Sequence, residues 1–330
     1  MNKVSIIGAG AWGTALALCA FRAEYEVTLW SISLDEVETI NQRHENVYRL
    51  PGIALDPSLH ATINPQETAA ADMVILAPPA QFMRSICETF RDVFPSHIPF
   101  IIASKGIEGG TSLLMSEVIG EYFPQNPLLV LSGPSFASDV AKKLPTAVAL
   151  AARNLALSQK IASLLSSPYF RLYASEDMIG TQVGGACKNI IAIACGIIEG
   201  RELGDNARAA LITRGLAEMA RLGCAMGGKI ETFLGLSGVG DITLTSLSSQ
   251  SRNKSFGLAL GCGTLLDELL SNKKTLVEGF YTVSGTVALA EKFHVDMPIT
   301  FALNDLLKGR SDTETLIENL LSRPLRAEAA

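Results

Sequence analysis

The sequence predicts an α/β N-terminal domain with a mostly parallel sheet, followed by an all-α C-terminal domain. Three observations carry this. Residues 1–175 alternate short β-branched runs with Ala-rich segments of helical length, the pattern of a parallel sheet covered on both faces. From about Asp177 the alternation stops, and Ala, Leu, Met and Gly dominate with few strand candidates. With 330 residues, 48% of them hydrophobic and 18% charged, the chain has material for two cores and too little charge for disorder.

In chain order, strands are expected at 4–7, 26–30, 73–77, 100–104, 128–132 and 146–151, with helical segments such as 11–22 and 82–94 between them. Further helices are expected at 178–199, 206–223, 255–271, 284–293 and 313–323. The expected domains are residues 1–175 and 176–330. No repeat or long linker separates them, so they are expected to pack closely and share a cleft.

Composition excludes several classes of function. The net charge of −6, with no run of five like charges, argues against a nucleic-acid surface. Six cysteines (19, 87, 187, 195, 224, 262) form no C-x-x-C pair, and only four histidines are present. No metal site or disulfide scaffold is therefore expected, and six free thiols suit a reducing cytoplasm. The longest unbroken apolar run, 190–198, is nine residues, about half of the ~18 needed to span a bilayer, so no membrane segment is expected. Lys3 and the Ala/Leu-rich stretch to Cys19 have the look of an export leader. Leu18 is too bulky to precede a cleavage site, and Gly8, Gly10 and Gly13 break the apolar run.

Directly after the first expected strand comes Gly8-Ala9-Gly10-Ala11-Trp12-Gly13, opening into a helix-prone stretch. In this strand–loop–helix setting G-x-G-x-x-G predicts a Rossmann-type dinucleotide site. Gly8 permits the turn, Gly10 admits a pyrophosphate, and Gly13 lets helix meet strand. At the end of the second strand the chain reads Ser31-Ile32-Ser33, with no carboxylate before Asp35 and no Arg, so NAD and NADP both remain open.

Ligands of open α/β sheets bind beyond the carboxyl ends of the strands. There stand Ser104-Lys105-Gly106 and the segment 132–137, and Lys105 is placed to meet an anionic or carbonyl substrate. Lys188 is the only charged residue between Asp177 and Glu199, on an otherwise apolar helix. Such a lysine either snorkels to solvent or has a depressed pKa and a function. Ketone reduction needs a proton donor beside the hydride source. None of the histidines (44, 60, 97, 294) adjoins a glycine-rich or strand-end motif, so lysine is the leading candidate acid. Asp241, in Gly238-Val239-Gly240-Asp241, offers a carboxylate to hold it, with Thr245 four residues on. Ser251-Arg252-Asn253 offers a guanidinium fork and neutral donors suited to a phosphate monoester.

Together these segments resemble the NAD(P)-dependent glycerol-3-phosphate dehydrogenases of bacterial type. The matching stretches lie at 8–17, 103–108, 132–137, 184–197, 206–219, 235–245, 250–257, 277–282 and 297–300. The resemblance implies reduction of dihydroxyacetone phosphate to sn-glycerol 3-phosphate for phospholipid synthesis, with NAD or NADP, by a cytoplasmic homodimer. It implies that Lys188 is the catalytic lysine, Asp241 its paired carboxylate, and Lys105 a contact of substrate and cofactor. It further implies substrate contacts at Gly133, Ser135, Ser251, Arg252 and Asn253, and support from Asn189 and Thr245. Cofactor contacts are implied at Ala11, Trp12, Ala137, Arg252, Val277 and Glu278. Cys187 departs from the more usual aliphatic residue, which opens a question of oxidation beside the lysine. Two rival readings share the layout: a dehydrogenase of another hydroxy acid or phosphorylated ketone, and a cofactor sensor that does no chemistry.

Overall fold

A computed structural model describes residues 2–271 and 277–322. Its first half runs β1 (Lys3–Ile7), α1 (Ala11–Arg22), β2 (Glu26–Trp30), α2 (Leu34–Arg43), β3 (His60–Thr62), β4 (Met73–Leu76) and α3 (Met83–Thr89). It continues with β5 (Phe100–Ile102), α4 (Met115–Tyr122), β6 (Leu128–Ser132), α5 (Ala137–Ala141), β7 (Thr146–Ala152), α6 (Leu155–Leu165) and β8 (Phe170–Ser175). The eight strands form one sheet in the order β3-β2-β1-β4-β5-β6-β7-β8. Every neighbouring pair is parallel except β6 and β7, which are antiparallel.

The sheet is covered on both faces because its central strands are apolar at every position. All four residues of β4 are buried, and their alternation divides the core. Ile6, Met73 and Ile75 join Leu16 and Cys19 of α1 on one face; Ile7, Val74 and Leu76 join Met83, Phe90, Val118 and Ile119 on the other. Two strands were not expected. β3 has three residues, too short to read as a run, and β8 is an edge strand exposing Arg171 and Tyr173.

Beyond β8 follow α7 (Met178–Gly200), α8 (Gly204–Ala225), α9 (Ile230–Leu234), a π-helical turn (Leu236–Gly240), α10 (Asp241–Leu247) and α11 (Arg252–Gly261). Then come α12 (Leu266–Ser271), α13 (Glu278–Lys292), α14 (Pro298–Leu307) and α15 (Thr313–Leu321). The expected helix at 255–271 is two helices, interrupted where Gly263 takes φ +91°. The one at 284–293 is the later part of α13, and α14 was not expected. Residue 323, the end of the expected 313–323 helix, lies outside the described residues.

α7 is the axis of this half. Apart from Ile179 its side chains are buried from Met178 to Ile197, packed among α8, α10, α11 and α13. It is long and apolar enough by length and composition to cross a membrane, but most of it is buried inside the protein, as in a core helix. Glycines let α11 approach it closely: a Cβ on Gly257 would lie 1.9 Å from the Ile193 carbonyl oxygen, and one on Gly196 2.1 Å from that of Lys254. This contact fixes the first turn of α11 beside the middle of α7.

Candidate active site

The glycine loop fits a dinucleotide. Gly8 has φ +111°, and a Cβ there would come within 2.9 Å of the Pro78 nitrogen; one on Gly13 would lie 1.8 Å from the Gly8 oxygen. Gly10 has no heavy atom within 4 Å of an added Cβ, so the loop is open on the side where a pyrophosphate approaches. Gly10 caps α1 without a side-chain hydrogen bond, and no acidic residue stands in the first turn. Free N–H groups and the helix dipole therefore face that opening. The buried Trp12 Nε1 has no partner among the described residues. Ala11 and Trp12 pack against the same core cluster as Ala137, the first residue of α5.

At the carboxyl edge of the sheet two lysines meet one carboxylate. Lys105, three residues beyond β5, donates from Nζ to Asp241 Oδ2 at 2.7 Å and to the Gly133 oxygen at 2.9 Å. Lys188, mid-way along α7, donates to Asp241 Oδ1 at 2.6 Å and Thr245 Oγ1 at 2.9 Å. Asp241 starts α10 directly after the π-helical turn, a backbone irregularity frequent at functional sites, and is fully buried. Burial pushes the Lys188 ammonium down to about 8, against the pull of Asp241. Burial alone would favour the neutral form of Asp241; the two ammoniums outweigh it and hold the carboxyl below its usual value. One carboxylate against two ammoniums leaves a local positive charge suited to an anion.

Among the other sequence-predicted residues, Gly133 and Thr245 touch this centre directly. Gly133, at φ +145°, accepts from Lys105 through its oxygen, which also takes the Ser135 hydroxyl at 2.9 Å. Ser251 caps α11 by accepting from the Lys254 N–H. Asn253 is not free to spend its whole amide on a substrate. Its Nδ2 donates to Asn189 Oδ1 at 2.9 Å, and its Oδ1 accepts from the Gly279 N–H at 2.9 Å. It links α7, α11 and α13, leaving the exposed Arg252 as the cation at that helix start. Val277 caps α13, and Glu278 opens it. Glu278 Oε1 accepts from the Ala80 N–H at 3.4 Å, while Oε2 and the Thr282 hydroxyl are buried without partners among the described residues. Burial pushes the Glu278 carboxyl up to about 7. Cys187 is buried, and burial pushes its thiol up to about 12, so it behaves as a small hydrophobe.

Asn46 is a residue that the sequence reading missed. It is fully buried, and its Nδ2 donates to the Ala9 oxygen at 2.8 Å and to Thr14 Oγ1 at 2.9 Å, tying the segment after α2 to the glycine loop. Nothing local marks it: the contact spans more than thirty residues, across β2 and α2. Among the described residues no group of His, Cys, Asp and Glu is arranged to hold a metal.

Comparison with known proteins agrees with this geometry. Residues 3–158 match the family described as the NAD-dependent glycerol-3-phosphate dehydrogenase N-terminus, and residues 177–318 match its C-terminus. The glycerol-3-phosphate dehydrogenase (NAD(P)+) of Rhodospirillum rubrum is 49% identical over 329 residues, covering 99% of this chain and 94% of its own. The crystal structure of glycerol-3-phosphate dehydrogenase from Coxiella burnetii superposes with a TM-score of 0.93 at 38% identity, covering 98% of this chain and 99% of the other. The Saccharomyces cerevisiae enzyme superposes with a TM-score of 0.82 at 27% identity, covering 97% and 99%.

Proposed function

Since the chain belongs to the NAD-dependent glycerol-3-phosphate dehydrogenase family, we propose from the site geometry how its own residues perform that reaction. The protein is an NAD(P)-dependent oxidoreductase that interconverts dihydroxyacetone phosphate and sn-glycerol 3-phosphate. Bound NAD(P)H supplies the hydride for the carbonyl carbon. Lys188 gives its Nζ proton to the carbonyl oxygen in reduction and takes it back in oxidation. Asp241 holds that ammonium charged and, with Thr245, aims it. Lys105 places a second positive charge near the same oxygen, oriented by Asp241 and the Gly133 carbonyl.

The phosphate is held at the start of α11 by Arg252 and the N–H groups of the first turn, beside Ser251 and Asn253. Anchoring the phosphate turns remote binding energy into alignment at the reacting carbon. Gly133 and Ser135 complete the substrate wall. Ala11, Trp12, Ala137, Lys105, Arg252, Val277 and Glu278 border the coenzyme, with Gly8, Gly10 and Gly13 cradling its pyrophosphate.

The observation that carries this reading is a lysine buried in an apolar helix, sharing a fully buried carboxylate with a second lysine at the sheet's carboxyl edge. In the reading, residues 1–175 hold the coenzyme and 176–330 close over the substrate. It also sets the enzyme in the cytoplasm, where its unpaired thiols would stay reduced, feeding phospholipid synthesis as a homodimer of the kind the family resemblance implies.

The test is NADH and NADPH oxidation with dihydroxyacetone phosphate and dihydroxyacetone in parallel. Turnover with the phosphorylated ketone alone is expected. Equal turnover of both ketones would remove the phosphate anchor, and no oxidation with either would favour a coenzyme sensor. Sedimentation at working concentration checks the dimer.

A further inference from the structure

NADH and NADPH differ only at the 2′ position of the adenosine ribose, which lies beyond the carboxyl end of β2 in this fold. The residues there, Ser31-Ile32-Ser33, carry no charge, and the Ile32 side chain is open to solvent. A charge arrives from elsewhere in the chain. Ser31 donates from Oγ to Glu36 Oε2 at 2.5 Å, and Arg49 donates from Nε to Glu36 Oε1 at 2.6 Å. One buried carboxylate thus ties the end of β2 to a guanidinium contributed by the loop after α2.

That loop is fixed to the pyrophosphate side as well. The Arg49 N–H donates to Asn46 Oδ1, and Asn46 is hydrogen-bonded to the glycine loop through the Ala9 oxygen and Thr14 Oγ1. Arg49 is therefore held between the glycine loop and the end of β2, the path from pyrophosphate to ribose. Its side chain is half-exposed, and its two terminal nitrogens have no partner among the described residues.

We propose that Arg49 reads the 2′ position of the coenzyme, taking the 2′-phosphate of NADPH on its terminal nitrogens while Glu36 holds the guanidinium from behind. The proposal rests on the dehydrogenase reading and adds the coenzyme choice that reading leaves open. In an NAD-selective site a free carboxylate near this point accepts ribose hydroxyls and repels a phosphate. Here Glu36 cannot do either well, because both oxygens are engaged and its charge is balanced by Arg49. An Arg fork matches phosphate oxygens and keeps its charge at any working pH.

The test is equilibrium binding of NADPH and NADH, followed by the fluorescence of the reduced nicotinamide, in the wild type, in Arg49→Leu and in the double variant Arg49→Leu with Glu36→Gln. Wild type is expected to bind NADPH at least as tightly as NADH. In both variants the NADPH Kd should rise about 30-fold, the loss expected for a charge-assisted hydrogen bond, with NADH held within about threefold. The double variant removes both charges together, so it guards against a fold failure caused by an unpaired buried Glu36. Equal changes for the two coenzymes, or none, would overturn the proposal. So would NADPH binding restored in the double variant, since Arg49 would then only neutralise Glu36. Turnover of dihydroxyacetone phosphate with NADH, measured on the same samples, tests the dehydrogenase reading separately.

Discussion

At Lys188 two opposing effects set the proton. Loss of hydration disfavours the ammonium, Asp241 at 2.6 Å favours it, and the balance leaves the group titrating at about 8. In the mechanism proposed above, the lysine below that pH is the acid that ketone reduction needs, and above it the base that alcohol oxidation needs. With saturating coenzyme, kcat/KM for dihydroxyacetone phosphate should therefore fall as pH rises through about 8, while that for glycerol 3-phosphate should rise and level off. Lys188→Met should lower kcat by about 10³-fold with coenzyme binding retained, and its residual rate should lack this limb. A limb that persisted near pH 8 in the variant would assign the proton to another group. The lysine itself was legible in the sequence as a lone charge in an apolar stretch. That Asp241 serves two lysines was not, because Lys105 lies 136 residues upstream and spacing carries no information about such convergence.

The long elements were legible for the same reason that they position the site: their apolar periodicity is strong. Missed were β3, too short to pattern, the edge strand β8 and the helices α9, α10 and α14. The close approach of α7 and α11 was not legible either, since it depends on glycines whose purpose appears only against the neighbouring backbone. With 1.9 Å available to a Cβ against the Ile193 oxygen, Gly257→Ala must push the helices apart. It should lower stability by about 3 kcal/mol in urea unfolding and raise the KM for dihydroxyacetone phosphate by displacing the start of α11; unchanged midpoint and KM would show that the seam yields freely. A second element contact is sensitive to pH. Glu218 of α8 is buried and caps the start of α14, accepting from the Ile299 N–H at 2.6 Å and from the Thr300 N–H and hydroxyl at 3.2 and 3.0 Å. Burial pushes its carboxyl from 4.5 up to about 7. The unfolded chain releases this proton first. The stability linked to it is thus complete below pH 4.5 and lost as pH rises through about 7, a change of about 3 kcal/mol. Unfolding midpoints across that window should fall more steeply for the wild type than for Glu218→Gln, and parallel slopes would sink the assignment.

For the whole molecule, the lysine–carboxylate cluster is also a mechanical link. Among the described residues, Lys105–Asp241 is the one ion pair joining residues before 176 to residues after it. The two lysine deletions and the carboxylate deletion are not equivalent. Lys105→Met leaves Asp241 paired with Lys188, so the expected cost is about 1–2 kcal/mol. Both substitutions remove the pair across residue 176, but Asp241→Asn also leaves two enclosed ammoniums, one from each half, without a counter-charge, a defect of about 3–5 kcal/mol. The chain supplies separate reporters for its halves. Both tryptophans, Trp12 and Trp30, lie in the sheet half, while the long helices α7 and α8 that weigh heavily on far-ultraviolet circular dichroism lie in the other. Fluorescence and dichroism should give coincident urea transitions for the wild type and for Lys105→Met, the mark of cooperative unfolding. In Asp241→Asn the midpoints should drop and separate, because the ammoniums of Lys105 and Lys188 would then repel each other across the contact between the halves. If the two probes remained coincident in Asp241→Asn with a shift no larger than that of Lys105→Met, apolar packing around α7 would be the true coupling, and the buried carboxylate would serve the chemistry alone.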